Sequence, residues 1–260
     1  MPRRDLKNKP LVEATLEIQW QLREDPTPGV KTDPHYKMLL GRFYERVMDA
    51  YPVHETLPAS LLPDSLAAHR SQHLFRVARG QWPIVQIGPG ILSVHEREEY
   101  SWKDFVWRCV ETASKLVDAY PRPLEFRVEA VRLRYLDAVA FDFTQENLLD
   151  FLRDKFKSTA QLPSVLFQDK HVQSQPVSFS WQASFREDTP PGTISVRFST
   201  GERRSKPALL WETVVESVGA EVPQIPRDFQ TWLQEAHELS SDWFFKLIAG
   251  ELEQHFAGEL

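Results

Sequence analysis

Between Leu11 and Trp20 the chain alternates. Val12, Ala14, Leu16, Ile18 and Trp20 share one phase, and Glu13, Thr15, Glu17 and Gln19 share the other. A period of two buries one face of a strand and wets the other. A longer alternation runs from Glu125 to Phe141. There Phe126, Val128 and Ala130 alternate with Arg127 and Glu129, and then the phase slips to Val131, Leu133 and Tyr135 with Arg132 and Arg134 between them. A slip of one residue turns every later side chain to the opposite face, so the pattern predicts a bulge near Ala130–Val131.

Helical spacing separates these strands. Tyr36, Leu39, Leu40, Phe43, Tyr44, Val47, Met48 and Tyr51 recur at intervals of three and four, with Asp33 as the expected cap and Pro34 at the first position. A second helix follows Ser101 and carries Trp102, Phe105, Cys109, Ala113, Leu116 and Tyr120 up to Pro121. A third is expected after Thr144, burying Leu148, Leu149, Leu152 and Phe156. The last periodic run extends from Phe229 to Phe256, long enough to anticipate a kink at Ser240-Ser241. Short strands are predicted over His73–Ala78, over Ile84–Ile87 and Ile91–Val94 flanking Gly88-Pro89-Gly90, and over Ser178–Arg186, Ile194–Phe198 and Leu209–Ser217. Residues 52–72 and the stretch around Pro163 read as irregular connections.

The order of elements repeats. Residues 1–121 and 122–260 each read as a β-α-β-β-β-α half, which predicts an α+β fold of antiparallel curved sheet with helices on one face. The TATA-binding-protein-like and helix-grip folds share this general plan, a likeness of topology only. The strand at Leu11–Trp20 and the strand at Glu125–Phe141 should occupy equivalent positions, paired near the centre of one sheet.

Composition narrows the function classes. A net charge of −6 argues against a broad non-specific nucleic-acid binder. The single cysteine, Cys109, forbids a disulfide within the chain and fits a reducing cytosol. It falls on an apolar stripe and reads as a small buried hydrophobe. The basic residues near the start precede no apolar run, so no signal peptide is expected, and no apolar stretch approaches the ~18 residues that span a bilayer.

No strong catalytic or ligand motif is present. Gly88-Pro89-Gly90-Ile91 lacks the continuation of a dinucleotide fingerprint, and there is no phosphate-binding P-loop and no G-x-S-x-G elbow. The histidines show no H-x-x-x-H pair, and one cysteine cannot build a thiolate zinc site. No cofactor and no metal are therefore expected, and His237 reads as a structural or surface histidine beside the apolar stripe of the last helix. Three polar groups stand out. Arg132 and Arg134 share one face of the central strand and present forks suited to carboxylate or phosphate, although Glu13 and Glu17 on the first strand are placed to neutralise them. Arg203, Arg204 and Lys206 form a basic loop suited to a ligand, a partner or nucleic acid. Glu96, Glu98 and Glu99 precede a helix start, where carboxylates are favoured.

Four stretches carry a resemblance: Lys9-Pro10-Leu11-Val12-Glu13-Ala14, Ser101-Trp102-Lys103-Asp104-Phe105, Val131-Arg132-Leu133-Arg134-Tyr135-Leu136-Asp137, and Ala236-His237-Glu238 followed by Phe244-Phe245. In this order they resemble a large, sporadically distributed family of uncharacterised bacterial proteins of about this length. The resemblance transfers no activity and no catalytic residue. The patchy distribution of that family implies carriage on mobile islands, where defence and toxin–antitoxin genes gather. The expectation is thus a non-enzymatic, cytoplasmic, protein-binding regulatory component of an antiviral defence or toxin–antitoxin-like pair, with a partner encoded nearby and no membrane attachment. Two alternatives stand beside it, a small-ligand or nucleotide sensor and a nucleic-acid binder working through the concave sheet face.

Overall fold

The computed structural model describes residues 6–97, 99–168 and 172–259, so Glu98 of the acidic run lies outside the described residues. The chain opens with β1 (Leu11–Trp20), a ribbon of β2 (Arg23–Glu24) and β3 (Lys31–Thr32), and helix α1 (Tyr36–Val47). Strands β4 (Val53–Thr56), β5 (His73–Arg76), β6 (Ile84–Gly88) and β7 (Ile91–Glu96) lead to helix α2 (Trp102–Ala119). The order then recurs as β8 (Val128–Ala140), α3 (Leu148–Phe156), β9 (Ser180–Asp188), β10 (Pro191–Arg203), β11 (Lys206–Val218) and α4 (Phe229–Ile248), followed by a short α5 (Glu251–Ala257).

Nine strands make one antiparallel sheet in the order β4-β5-β6-β7-β1-β8-β11-β10-β9. The two long alternating strands are neighbours at its middle, with Leu16 opposite Leu133 and Ile18 opposite Val131. From β1 the sheet continues outward through β7, β6 and β5, and from β8 through β11, β10 and β9. The expected α+β class is therefore observed.

Alternation decides the two faces. Ala14, Leu16, Ile18 and Trp20 of β1 point to the helix side and are buried with Leu39 and Phe43 of α1, Phe105 and Cys109 of α2 and Phe229 of α4. A second cluster lies under α3, α5 and the end of α4, where Val139, Phe198 and Trp211 of the sheet meet Leu152, Phe156, Ile248 and Phe256. Each fully buried large side chain contributes about 1.5–3 kcal/mol relative to an exposed one, so these two clusters carry most of the driving force. The opposite face is polar and holds Thr15, Glu17, Ser93, His95, Arg132, Arg134, Glu212 and Glu216.

Several expectations change in detail. The central strand starts at Val128, because Pro123–Glu125 forms a single tight turn. Its bulge is at Glu129, where Gln19 pairs with Ala130 and Trp20 with Val128; a second bulge at Val12 lies at the other end of the pair. Helix α1 begins at Tyr36 rather than Pro34, and the Asp33 carboxylate caps the preceding turn, accepting from the His35 amide at 3.0 Å and from the Trp20 indole at 2.9 Å. Thr144 does not cap α3. Asn147 does, its side-chain oxygen accepting from the amides of Leu149 and Asp150. The last helix runs unbroken through Ser240-Ser241 and ends at Ile248, and beyond it Gly250 takes a φ of 108° and α5 starts afresh. Residues 52–72 contain strand β4, whose four-residue length is too short to show a periodicity.

Candidate functional site

Arg132 reaches across the open face to Glu17 of β1 on one side and Glu216 of β11 on the other, and Arg134 pairs with Glu212. Neighbouring carboxylates raise the affinity of the Arg132 guanidinium for its proton, against the opposing effect of its partial burial. These arginines are thus committed to a cross-strand ladder of alternating charge. Glu13 turns away from them. It accepts from His95 at 2.7 Å and from Arg97 at 3.0 Å, and these partners hold its carboxyl below the usual range despite burial.

The basic stretch is not a loop. β10 runs to Arg203 and β11 begins at Lys206, so only Arg204 and Ser205 form the turn, both with positive φ, as a two-residue hairpin requires. Arg203 folds back onto the sheet, donating to the main-chain oxygens of Ala138, Lys9 and Leu11 at 3.2 to 3.4 Å. The structure therefore separates Arg132 and Arg134 from the turn bearing Arg203, Arg204 and Lys206, and brings no anion site together from them. Of the acidic run, Glu96 points to the helix face, is buried, and faces Arg108 of α2 at 3.6 Å. Burial raises its carboxyl pKa. Cys109 is fully buried, and burial pushes its thiol pKa up.

On the helix face the apolar packing is interrupted along one seam. β8 presents Leu133, Tyr135, Asp137 and Val139 in turn, β11 presents Val215, Thr213 and Trp211, and α4 presents Ala236, Ser240 and Phe244. The first hydrophobic cluster ends before Asp137, Thr213 and Ser240, and the second begins after them. A cavity of about 900 Å³ opens at this seam. The segment Lys9-Pro10-Leu11, the residues Tyr100, Trp102 and Lys103 at the start of α2, and α4 from Gln234 to Lys246 form its walls. All four stretches noted for their resemblance contribute to it, although the chain separates them widely.

The polar floor has two parts. One is a closed chain of hydrogen bonds: the hydroxyls of Tyr100 and Tyr135 lie 2.9 Å apart, and Tyr135 Oη lies 2.9 Å from His237 Nδ1. Burial raises the pKa of both phenols, which keeps them protonated. Trp102 covers this chain, its ring stacked on His237 at 3.8 Å between centroids, and its indole nitrogen donates to Gln234 at 3.2 Å. The other part is open. Asp137 is only 3% exposed, and among the described residues no side chain or amide donates a hydrogen bond to its carboxyl group. Burial pushes its pKa up to about 8, against the pull of Arg203. Ser240 is 2% exposed, and its hydroxyl has no partner among the described residues. Trp211, opposite Asp137 on β11, also buries its indole nitrogen without an acceptor. Buried polar groups are nearly always paired, so unused groups that line a cavity are the signature of a site built for something else.

Two other polar constellations lie apart from this cavity. Glu13, His95 and Ser93 fall in the order of a hydrolase relay, at 2.7 and 2.8 Å, but Ser93 is 5% exposed and lines neither large cavity. A second cavity of about 620 Å³ beside β3 and α1 includes Asp25, Asp33 and Asp64, and Asp33 is already engaged by Trp20 and His35. Among the described residues no cluster of three or more His, Cys, Asp or Glu is arranged to hold a metal, and no helix is long and apolar enough to cross a membrane. Comparison with protein-family models, curated proteins and solved structures finds no match to this chain.

The sequence contained one signal for this floor. Asp137 lies on the same phase as Val131, Leu133 and Tyr135, and therefore on the buried face.

Proposed function

We propose that the protein is a small-ligand sensor whose recognition site is the cavity beneath α4. The carrying observation is Asp137, a buried carboxyl facing that cavity with no donor among the described residues. An isolated buried carboxyl costs several kcal/mol of solvation, on the order of the whole stability of a domain. Such a cost is retained where a ligand offsets it. The volume is in the range of small-molecule sites, and Trp102, Tyr135, Phe244 and Phe245 supply the apolar surface those sites require. The buried phenols act here as hydrogen-bonding groups, which favours binding over chemistry.

A fragment screen by thermal shift and ligand-observed NMR tests this reading. Ser241 lines the cavity from α4 and is partly exposed. Ser241→Trp should leave the fold intact and abolish the binding of fragments that stabilise the natural protein. A screen in which no fragment competes for this cavity would sink the proposal.

Signalling through a protein partner, as in a defence or toxin–antitoxin-like pair, is the second reading. One observation favours it: β9 is an edge strand of nine residues that itself exposes Trp181 and Phe185. Such an edge offers unpaired amides and carbonyls to an added strand. Arg186→Pro on β9 should abolish binding of a candidate partner encoded nearby while leaving fragment binding unchanged. Full retention of the partner by this variant would remove the edge from consideration. The nucleic-acid reading has less support, because Trp20, Tyr135, Trp181, Phe185, Phe198 and Trp211 all face the helices, and on the open face Arg132 and Arg134 are already paired with Glu17, Glu216 and Glu212.

A further inference from the structure

We infer that the cavity takes a planar nitrogen heterocycle presenting two adjacent N–H donors, the edge offered by guanine, with Asp137 as the acceptor at its floor. This inference rests on the ligand-sensor reading and names the class of ligand. The first premise is the open acceptor. Once ionised, a carboxyl has two acceptor oxygens in one plane, and its best complement is a pair of parallel N–H bonds, so binding such an edge releases the proton that burial holds on Asp137 in the empty cavity. Arg203, whose charge acts on Asp137, directs its two terminal nitrogens to the main-chain oxygens of Ala138, Lys9 and Leu11 instead. The second premise is the shape of the surroundings. Trp102, Tyr135, Phe244 and Phe245 give flat aromatic surfaces around the cavity, which suit a planar ring. The third is the separation of polar groups. The unpartnered Ser240 hydroxyl lies at the same seam as Asp137, while Lys9, Lys103 and Lys246 line the cavity together with Glu238 and Asp242. The mouth is thus of mixed charge, and discrimination falls to the floor.

A single donor to Asp137 would satisfy one oxygen, and a cyclic amidine edge satisfies both. Guanine has that edge in its ring N–H and exocyclic amino group. Hypoxanthine keeps the ring N–H and lacks the amino group. Adenine has no ring N–H there. Xanthine replaces the amino group with a carbonyl. The match inverts when Asp137 becomes Asn, because an amide offers one donor and one acceptor, the complement of xanthine.

The test measures guanosine, GMP, inosine, adenosine and xanthosine against the full chain and against Asp137→Asn, by calorimetry with thermal shift as a second readout. The expected result is binding of guanosine and GMP, at least about tenfold weaker binding of inosine, and none of adenosine. Asp137→Asn should lose guanosine by at least about tenfold and gain xanthosine, a gain that simple damage to the fold cannot produce. Adenosine binding as tightly as guanosine, or guanosine affinity unchanged in Asp137→Asn, would overturn the inference. Guanosine and GMP both failing to bind would do the same. If fragments still bind in that case and Ser241→Trp still excludes them, the cavity remains a ligand site and only its assignment to this heterocycle falls.

Discussion

At the scale of residues, Asp137 sets the pH response of the whole protein. Its carboxyl titrates near 3.8 in an ordinary environment and near 8 in the fold. Below the lower value both states hold the proton, and its contribution to stability is intact. Between the two values only the folded state holds it, so stability falls as pH rises through this window and levels off above it. Asp137→Asn should flatten that decline in urea melts taken across the window, and the variant should be more stable than the natural protein at about pH 9. Equal pH slopes for the two proteins would show that the carboxyl is solvated. Arg132 makes the opposite case. Its pairs with Glu17 and Glu216 are about one-third exposed, so water screens them. A double-mutant cycle between Arg132→Ala and Glu216→Ala should give a coupling of only about 1 kcal/mol or less, smaller at high salt. The difference between these two residues explains what was legible. Both lie on a strand whose alternation is plain, and the phase alone places Arg132 outward and Asp137 inward. What the phase cannot say is whether an inward acid meets a partner, since that depends on Arg203, Ser240 and Tyr100 from distant parts of the chain.

At the scale of elements, long periodic segments are legible in the sequence and short or interrupted ones are not. β1 and α2 match the pattern because each has enough residues for one face to declare itself. β4, with four residues, does not. The last helix shows the competing rule. Its apolar spacing continues through Gly250 without a break, yet the backbone stops there, because glycine takes a conformation that ends the helix and starts another. Residue type alone suits Thr144 as the cap of α3, but Asn147 holds that position, its side chain accepting from the amides of the first turn. Asn147→Ala should therefore cost about 1 kcal/mol, measured by chemical denaturation, and Thr144→Ala much less. Gly88 offers a stricter test. A side-chain carbon there would collide with the Arg70 main chain, so Gly88→Ala must push apart β6 and the connection before β5. Faster amide exchange in β5 and β6 than in β8 and β11 is the expected sign, and equal protection throughout would contradict it.

At the scale of the whole molecule, the pairing of β1 with β8 joins what the sequence presents as two repeated halves. Leu16 and Leu133 are both fully buried at that junction, and their neighbours belong to one cluster that takes in α1, α2 and α4. Calorimetry should accordingly show one transition, with calorimetric and van't Hoff enthalpies in agreement. Two resolved transitions would mean that the halves fold as independent units. The same cluster encloses the chain's single thiol, Cys109 on α2. A soluble alkylating reagent can reach that sulfur only when the layer between α2 and the sheet has parted, so its rate of modification works as an internal clock for opening. Because there is one such sulfur, the clock has one hand, and a plain mass measurement reads it. Any compound that closes the seam beneath α4 should slow it, so candidate ligands can be ranked by mass alone, with no label attached and no activity known in advance.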